Sequence, residues 1–298
     1  MVRKSLVVFA ICISLALAIS LATAGEIPSG TNLSASAIVD KNVAARGGLQ
    51  AWRAVHTMSF AGKMGAGGNR RAALPVPAPD RKSGRLVLPT RPADEVQLPF
   101  VMEVARSRKM RFELVFNGQT AVQVFDGANG WKLRPFLNRR VVEAYTADEI
   151  KAASIQLDLD GPLVDYAAKG TQIELAGMEK VEDRDTYKLK LTMNNGQSIH
   201  VWIDAQSFLE TKIEGQPRRL DGVYHPVEIY YRDYRPVSGL QIPYVLETKV
   251  LPLAQKLPQV KDPLVPVEKI IIEKVEVNPK LDEAAFSKPD AGVAPKAN

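Results

Sequence analysis

The side chains best suited to acid–base, nucleophilic or metal chemistry are few in this 298-residue chain, and they are scattered. Its three histidines, His56, His200 and His225, fall on separate predicted elements. The single cysteine is Cys12, and no carboxylates stand at ligand spacing beside the histidines to complete a metal shell. His200 alternates with Trp202 opposite Lys190 on a predicted strand face, the setting of a rim histidine rather than a base. Asp158 and Asp160 begin like a calcium loop, but Pro162 occupies the third ligand position and Lys169 stands where a bidentate glutamate belongs. Gly127 to Gly130 has neither the lysine nor the helix start that phosphate cradling requires. No Gly-x-Ser-x-Gly elbow occurs. These observations predict no enzyme, no metal and no cofactor.

What remains is the chemistry of burial. Tyr187, Leu189, Leu191, Ile199, Val201 and Ile203 alternate onto one predicted strand face. Phe112, Phe116, Phe125, Trp131, Ile229 and Tyr231 recur on other strands, and Ile150 and Leu157 lie on the less polar stripe of a helix. Such a set either lines a ligand cavity or packs as a core, and the residues alone allow both.

The element that positions the first six is Thr186 to Ile213, TYKLKLTMNNGQSIHVWIDAQSFLETKI, three period-two runs separated by turn signals. Two turns are open to it. A two-residue Asn195-Gly196 loop would set Lys188 and Lys190 opposite Ile203 and Val201. A three-residue Asn194-Asn195-Gly196 loop with Gly196 left-handed instead pairs Tyr187, Leu189 and Leu191 with Ile203, Val201 and Ile199. A slip of one residue turns every side chain over, so the second register, with one clean apolar face, is expected.

Composition bounds the class. The chain is 46% hydrophobic and 24% charged, enough to bury a core. Arg3 and Lys4 precede the apolar run Ser5 to Leu21, and Ala22-Thr23-Ala24 has the small-x-small form of a signal-peptidase site, so residues 1–24 are expected to be removed. Removal takes Cys12 and lowers the formal charge from +6 to +4, because that segment holds two bases and no acid. An exported chain so mildly basic makes nucleic acid an unsuitable partner, while transient contact with anionic lipid is compatible with its charge.

Helices are expected at Ser34 to Ala45, Leu49 to Val55 and Thr146 to Leu157, the last opened by a Thr146/Glu149 capping box. A further short helix is expected from Asp158 to Tyr166. Strands are expected at Ser59 to Met64, Phe100 to Ala105, Lys109 to Phe116, Thr120 to Phe125, Trp131 to Pro135, Gln172 to Met178, Pro226 to Tyr234, Gln241 to Val250 and Glu268 to Val277, besides the meander. Two proline-rich stretches, Gly65–Pro99 and Leu251–Pro266, read as surface excursions, with Arg85 to Leu88 a short strand in the first. Leu281 to Phe286 reads as a closing helical turn. About eleven strands with helices in two places make an α+β, mainly β, pattern rather than alternating βαβ.

The order GGLQAWRAVHTMSFAGKM (47–64), VFDGANGWKLRPF (124–136), TADEIKAASIQLDLDGPLVDYAAKG (146–170), LAGMEKVEDRDTYKLKLTMNNG (175–196), VWIDAQSFLE (201–210) and VEVNPKLDEAAFSKP (275–289) resembles the LolA-like, outer-membrane lipoprotein-sorting-type proteins of bacteria. The resemblance implies one domain over 25–288 with a tail at 289–298. Its fold would be an unclosed antiparallel half-barrel of about eleven strands around an apolar cavity with a helical lid. It further implies periplasmic, non-enzymatic binding or transport of a lipid or of the acyl group of a lipoprotein. The alternative is an envelope interaction or sensing module with a filled core, docking a protein through His225 to Tyr234 (HPVEIYYRDY) or through the excursions.

Overall fold

The period-two runs become an antiparallel sheet of thirteen strands in a computed structural model that describes residues 33–67, 95–135, 139–156, 158–220, 222–253 and 265–290. The signal segment, Leu157, the strand at Arg85 to Leu88 and the last eight residues lie outside the described residues, as does most of both excursions. Helices α1 (Ala35–Ala45) and α2 (Leu49–Arg53) open the chain. Strands β1 (Thr57–Gly67), β2 (Glu95–Ala105), β3 (Lys109–Phe116), β4 (Gln119–Phe125), β5 (Gly130–Arg134) and β6 (Arg139–Ala144) follow, then α3 (Ala147–Gln156). The remainder is β7 (Gln172–Val181), β8 (Arg184–Thr192), β9 (Ser198–Asp204), β10 (Glu210–Leu220), β11 (Val223–Val237), β12 (Leu240–Val250), β13 (Glu268–Val277) and a 3-10 turn at Glu283–Phe286.

The strand order is β6-β5-β4-β3-β2-β1-β13-β12-β11-β10-β9-β8-β7, two meanders joined where β1 pairs β13. The edge strands β6 and β7 do not pair with each other, so the sheet is open. It is also curled. Next-nearest strands of a flat sheet lie about 9.6 Å apart, yet β11 and β13 approach within 8 Å across β12. Register shifts in β1–β13, β5–β6, β7–β8, β9–β10 and β10–β11 supply bulges that steepen the local twist. At the first, Gly62 is required, since a Cβ there would stand 2.1 Å from the Ile271 carbonyl oxygen.

The meander has the expected register: Leu189 pairs Val201, Leu191 pairs Ile199 and Tyr187 pairs Ile203, while Lys188 and Lys190 face Trp202 and His200. Its turn is the three-residue form, with Gly196 at φ 80° and the Met193 N–H donating to the Gln197 carbonyl at 2.9 Å. The face carrying Leu189 is called inner here, because the helices lie on it. Asn42 of α1 donates to the Phe208 carbonyl at 2.8 Å, and the Phe208 ring stacks on Tyr187. Glu149 of α3 pairs with Lys132, which the register puts on the same face.

Several expectations need correction. Strand β6, reading RRVVEA, is absent from the sequence reading, and the sheet has thirteen strands rather than about eleven. Segment 158–170 is a run of turns rather than a short helix. Strand β2 begins at Glu95, inside the first expected excursion, and β1 runs on to Gly67. Pro99 pairs only with Lys63 of β1, because the β2–β3 ladder starts at Phe100, so a residue without an N–H sits at a local edge.

Candidate functional site

Strand pairing carries the inner face across the sheet, because paired residues point to one side and neighbours alternate. From Val201 the row runs through Ile213, Ile229 and Thr248 to Glu268. One step along, Tyr231, Leu246, Ile270 and Met64 share that face, followed by Leu98. Phe60 and Met102 lead to Phe112, Phe100 to Leu114, and Met110 to Phe125. The outer face carries Lys188, His200, Trp202, Lys212, Glu228 and Tyr230.

Burial divides the inner face in two. Over β8 and β9, Leu189, Leu191 and Ile203 are 0% exposed and Val201 is 1%, and α1, itself buried at Ile38, Val39 and Val43, lies on this face through its Asn42–Phe208 bond. Over β1–β3 and β10–β13 the same face is mixed: Phe60, Met64, Met102, Phe112, Leu114, Ile213, Ile229, Tyr231, Leu246 and Ile270 are only half-buried, set among the buried Leu98, Phe100, Val227, Tyr244 and Ile272. That second part is an apolar trough on a curled, open sheet.

The candidate residues therefore separate. Tyr187, Leu189, Leu191, Ile199, Val201 and Ile203 share the inner face, but four of them are packed core with no surface left for a ligand. Phe125 is likewise 0% exposed. Phe112, Ile229 and Tyr231 line the trough, and Phe116, paired with Gln119 at the end of β3, continues it. Ile150 is half-buried on α3. Trp131 points the other way: it pairs with Val124 on the outer face and packs on a separate cluster of Val122, Val124 and Leu133. Sequence reading missed Phe60, Met64, Met102, Leu114, Ile213, Leu246 and Ile270. Their alternation was readable, and only the missing cover distinguishes them.

Polar groups close both ends of the trough. At one end Arg46 pairs with Glu210 at 3.3 Å, stacks over Trp52 at 4.4 Å and donates to the Asp160 carbonyl. Burial first, and the Glu210 carboxylate second, hold the Tyr231 and Tyr234 phenols well above their ordinary range. Asp160, its side chain 3% exposed, takes Arg106 and Lys169 at 2.6 Å each and so pins segment 158–170 to the β2–β3 turn. Lys169, in the last position of the rejected calcium loop, thus supplies a cation to the aspartates. At the other end Arg218 of β10 forks onto Glu268 of β13 at 2.6 and 2.9 Å.

Two cavities of mixed lining are also present, one on the outer face and one beside the Tyr231 end of the trough. One of about 230 Å³ sits on the outer face among Ser59, Glu103, Arg111, Glu113, Lys274 and Glu276. The other, about 330 Å³, lies at the β9–β10 turn among Glu182, Ser207, Glu210, Tyr231, Asp233 and Tyr234. The histidines play three separate parts. His56 is exposed, His200 meets Glu214 at 2.9 Å beside Trp202, and His225 is 2% exposed with Nδ1 3.2 Å from the Leu251 carbonyl oxygen. Among the described residues no three His, Cys, Asp or Glu side chains are grouped to hold a metal ion, and no helix is long and apolar enough to cross a membrane.

No family model matches the chain, and no curated protein matches it. Solved structures do. A LolA superfamily protein from Nitrosomonas europaea is 13% identical with a TM-score of 0.49, over 86% of this chain and 98% of that one. A DUF1329 family protein from Desulfovibrio piger is 13% identical with a TM-score of 0.49, over 85% and 97%. A domain from Vibrio parahaemolyticus, described as an outer membrane lipoprotein-sorting protein, is 11% identical with a TM-score of 0.49, over 85% and 96%. The LolA-like, lipoprotein-sorting family that the sequence landmarks resemble is the kind to which the first and third of these structures are assigned.

Proposed function

We propose that the protein is a non-enzymatic binding protein of the bacterial periplasm that holds the acyl chain of a lipid or lipoprotein against the inner face of β1–β3 and β10–β13. The observation that carries this reading is the trough, a band of half-buried apolar side chains on the inner face of an open sheet, from Phe112, Met102 and Phe60 on one side to Met64, Ile270, Leu246 and Ile229 on the other. Soluble chains rarely leave such a surface without an occupant.

Magnitudes suit a carrier. A sixteen-carbon chain fully removed from water gains on the order of 12 kcal/mol. An open trough covers about half of its surface, for about 6 kcal/mol, which association costs of roughly 4–15 kcal/mol offset. One chain is then held loosely enough to be handed on, and firm retention needs a second chain or an added polar contact. Methionines Met64 and Met102 beside Phe60 and Phe112 make one wall adaptable to chains of differing shape.

Native mass spectrometry of the exported protein, purified without harsh detergent, tests the reading. A retained acyl species, lost in Leu246→Asp or Ile270→Asp variants that keep the wild-type circular dichroism, is the expected result. A protein that arrives empty and also refuses added phospholipid and acylated peptide would refute it.

A further inference from the structure

The Arg218–Glu268 pair stands in an unusual place. Strands β10 and β13 are separated by β11 and β12, so their backbones are about 14 Å apart in the sheet. A side-chain bridge between them must pass over one face of the intervening strands. Glu268 pairs with Thr248, which pairs with the trough residue Ile229, so that face is the inner one. Arg218 gets there through the bulge between Gly215 and Arg218, beyond which it pairs with the buried His225. Gly215 leaves the space beneath free of a side chain, as a Cβ there would stand 2.9 Å from Val227. The neighbouring cations Lys249 and Lys269 pair with Glu228 and Glu247 on the outer face. The bridge thus closes the mouth of the trough with a guanidinium that faces inward.

We propose that Arg218 is the headgroup anchor of the trough, and that the ligand class is an amphiphile with a single anionic head, carboxylate or phosphate monoester, on an acyl chain. The assignment rests on the acyl binding proposed above and deepens it. A guanidinium fork takes a carboxylate or phosphate in the geometry in which it now takes Glu268. The two side chains are 36% and 44% exposed, so the pair is solvated and exchangeable. With a head at Arg218, the row Thr248, Ile229 and Ile213 and the row Ile270, Leu246 and Tyr231 run beneath the chain. Glu268 occupies the anchor when no ligand is present and competes with the incoming head.

The test is calorimetric titration of the full exported chain with palmitate and with monopalmitoylglycerol, which carries the same chain without the charge. Wild type is expected to prefer palmitate by about tenfold, the scale of one charge-assisted hydrogen-bonded contact. Arg218→Gln is expected to bring the two affinities within about twofold by lowering palmitate binding alone, and Glu268→Gln to raise palmitate binding about threefold or more. Inorganic phosphate alone, charge without chain, is expected not to displace palmitate at equal concentration. Displacement by phosphate would reassign Arg218 to a free anion and overturn the proposal. So would a palmitate preference that survives Arg218→Gln, or an equal loss of both ligands in that variant, which would make the pair a structural strut. If neither amphiphile binds wild type, acyl binding itself fails and the anchor with it. Thermal unfolding of both variants is expected to match wild type, because the pair is half-exposed.

Discussion

The inner face over β8–β9 and the inner face over β1–β3 and β10–β13 are built from the same residue types at the same period, yet one is sealed and the other is half-open. The difference comes from what is laid on top. Helix α1, buried at Ile38, Val39 and Val43, is tied to the first region by Asn42 on the Phe208 carbonyl and by Arg46 paired to Glu210. In the second, Phe60, Met102, Ile229, Leu246 and Ile270 stay half-buried among buried neighbours. If the proposed acyl site is the trough, stability and ligand binding fall to different strands of one sheet.

Four measurements sharpen or break that division. The largest contrast is in stability: Leu189→Ala in the sealed region should cost about 2–5 kcal/mol in denaturant unfolding, and Leu246→Ala in the trough about 1 kcal/mol. Equal losses would mean that the trough is packed core. Next, Asp160→Asn leaves Arg106 and Lys169 facing a neutral side chain in a buried site, and about 3 kcal/mol should be lost. The released cover should also raise the fluorescence of a dye bound to exposed apolar surface. A third effect depends on pH. Burial pushes the Asp204 carboxyl up, but the Ser207 and Gln206 N–H groups, the Ser207 hydroxyl and Arg184 outweigh it, so the group titrates lower in the folded chain than its ordinary value. Its contribution is full above the unfolded value of about 3.9 and disappears as pH falls through the lower folded value. Unfolding midpoints across that window should flatten in Asp204→Asn. The smallest effect is at α3, where the Thr146 hydroxyl accepts from the Glu149 N–H and the Glu149 carboxylate from the Thr146 N–H. Thr146→Ala should cost about 1 kcal/mol and leave acyl binding unchanged.

Where a local signal sets geometry, sequence and structure agree. Asn194-Asn195-Gly196 and strict alternation put Leu189 opposite Val201, and Thr146 with Glu149 marks the start of α3. Non-local constraints were less legible. Strand β6 opens with two arginines and has no turn signal of its own, and it pairs because β5 offers an edge. Pro99, Pro217, Pro226 and Pro236 lie inside strands where ladder ends and bulges tolerate them, although proline by itself argues against a strand. The site was half legible for the same reason. Leucine 189 and leucine 246 look alike in a sequence, and only α1, arriving from far away along the chain, decides which of them is covered.

The seam between β1 and β13 has a consequence for how the chain reaches this state. Each meander closes through neighbours in sequence, so either can assemble early, but the two halves are stitched together by strands more than two hundred residues apart. Loop-closure entropy makes that the late step. A chain emerging from N to C would carry the bare edge of β1 until Glu268–Val277 arrives, with Met64 and Phe60 uncovered beside it. Aggregation during refolding should therefore be governed by the last strand made, and adding a peptide of residues 268–277 in excess should suppress it.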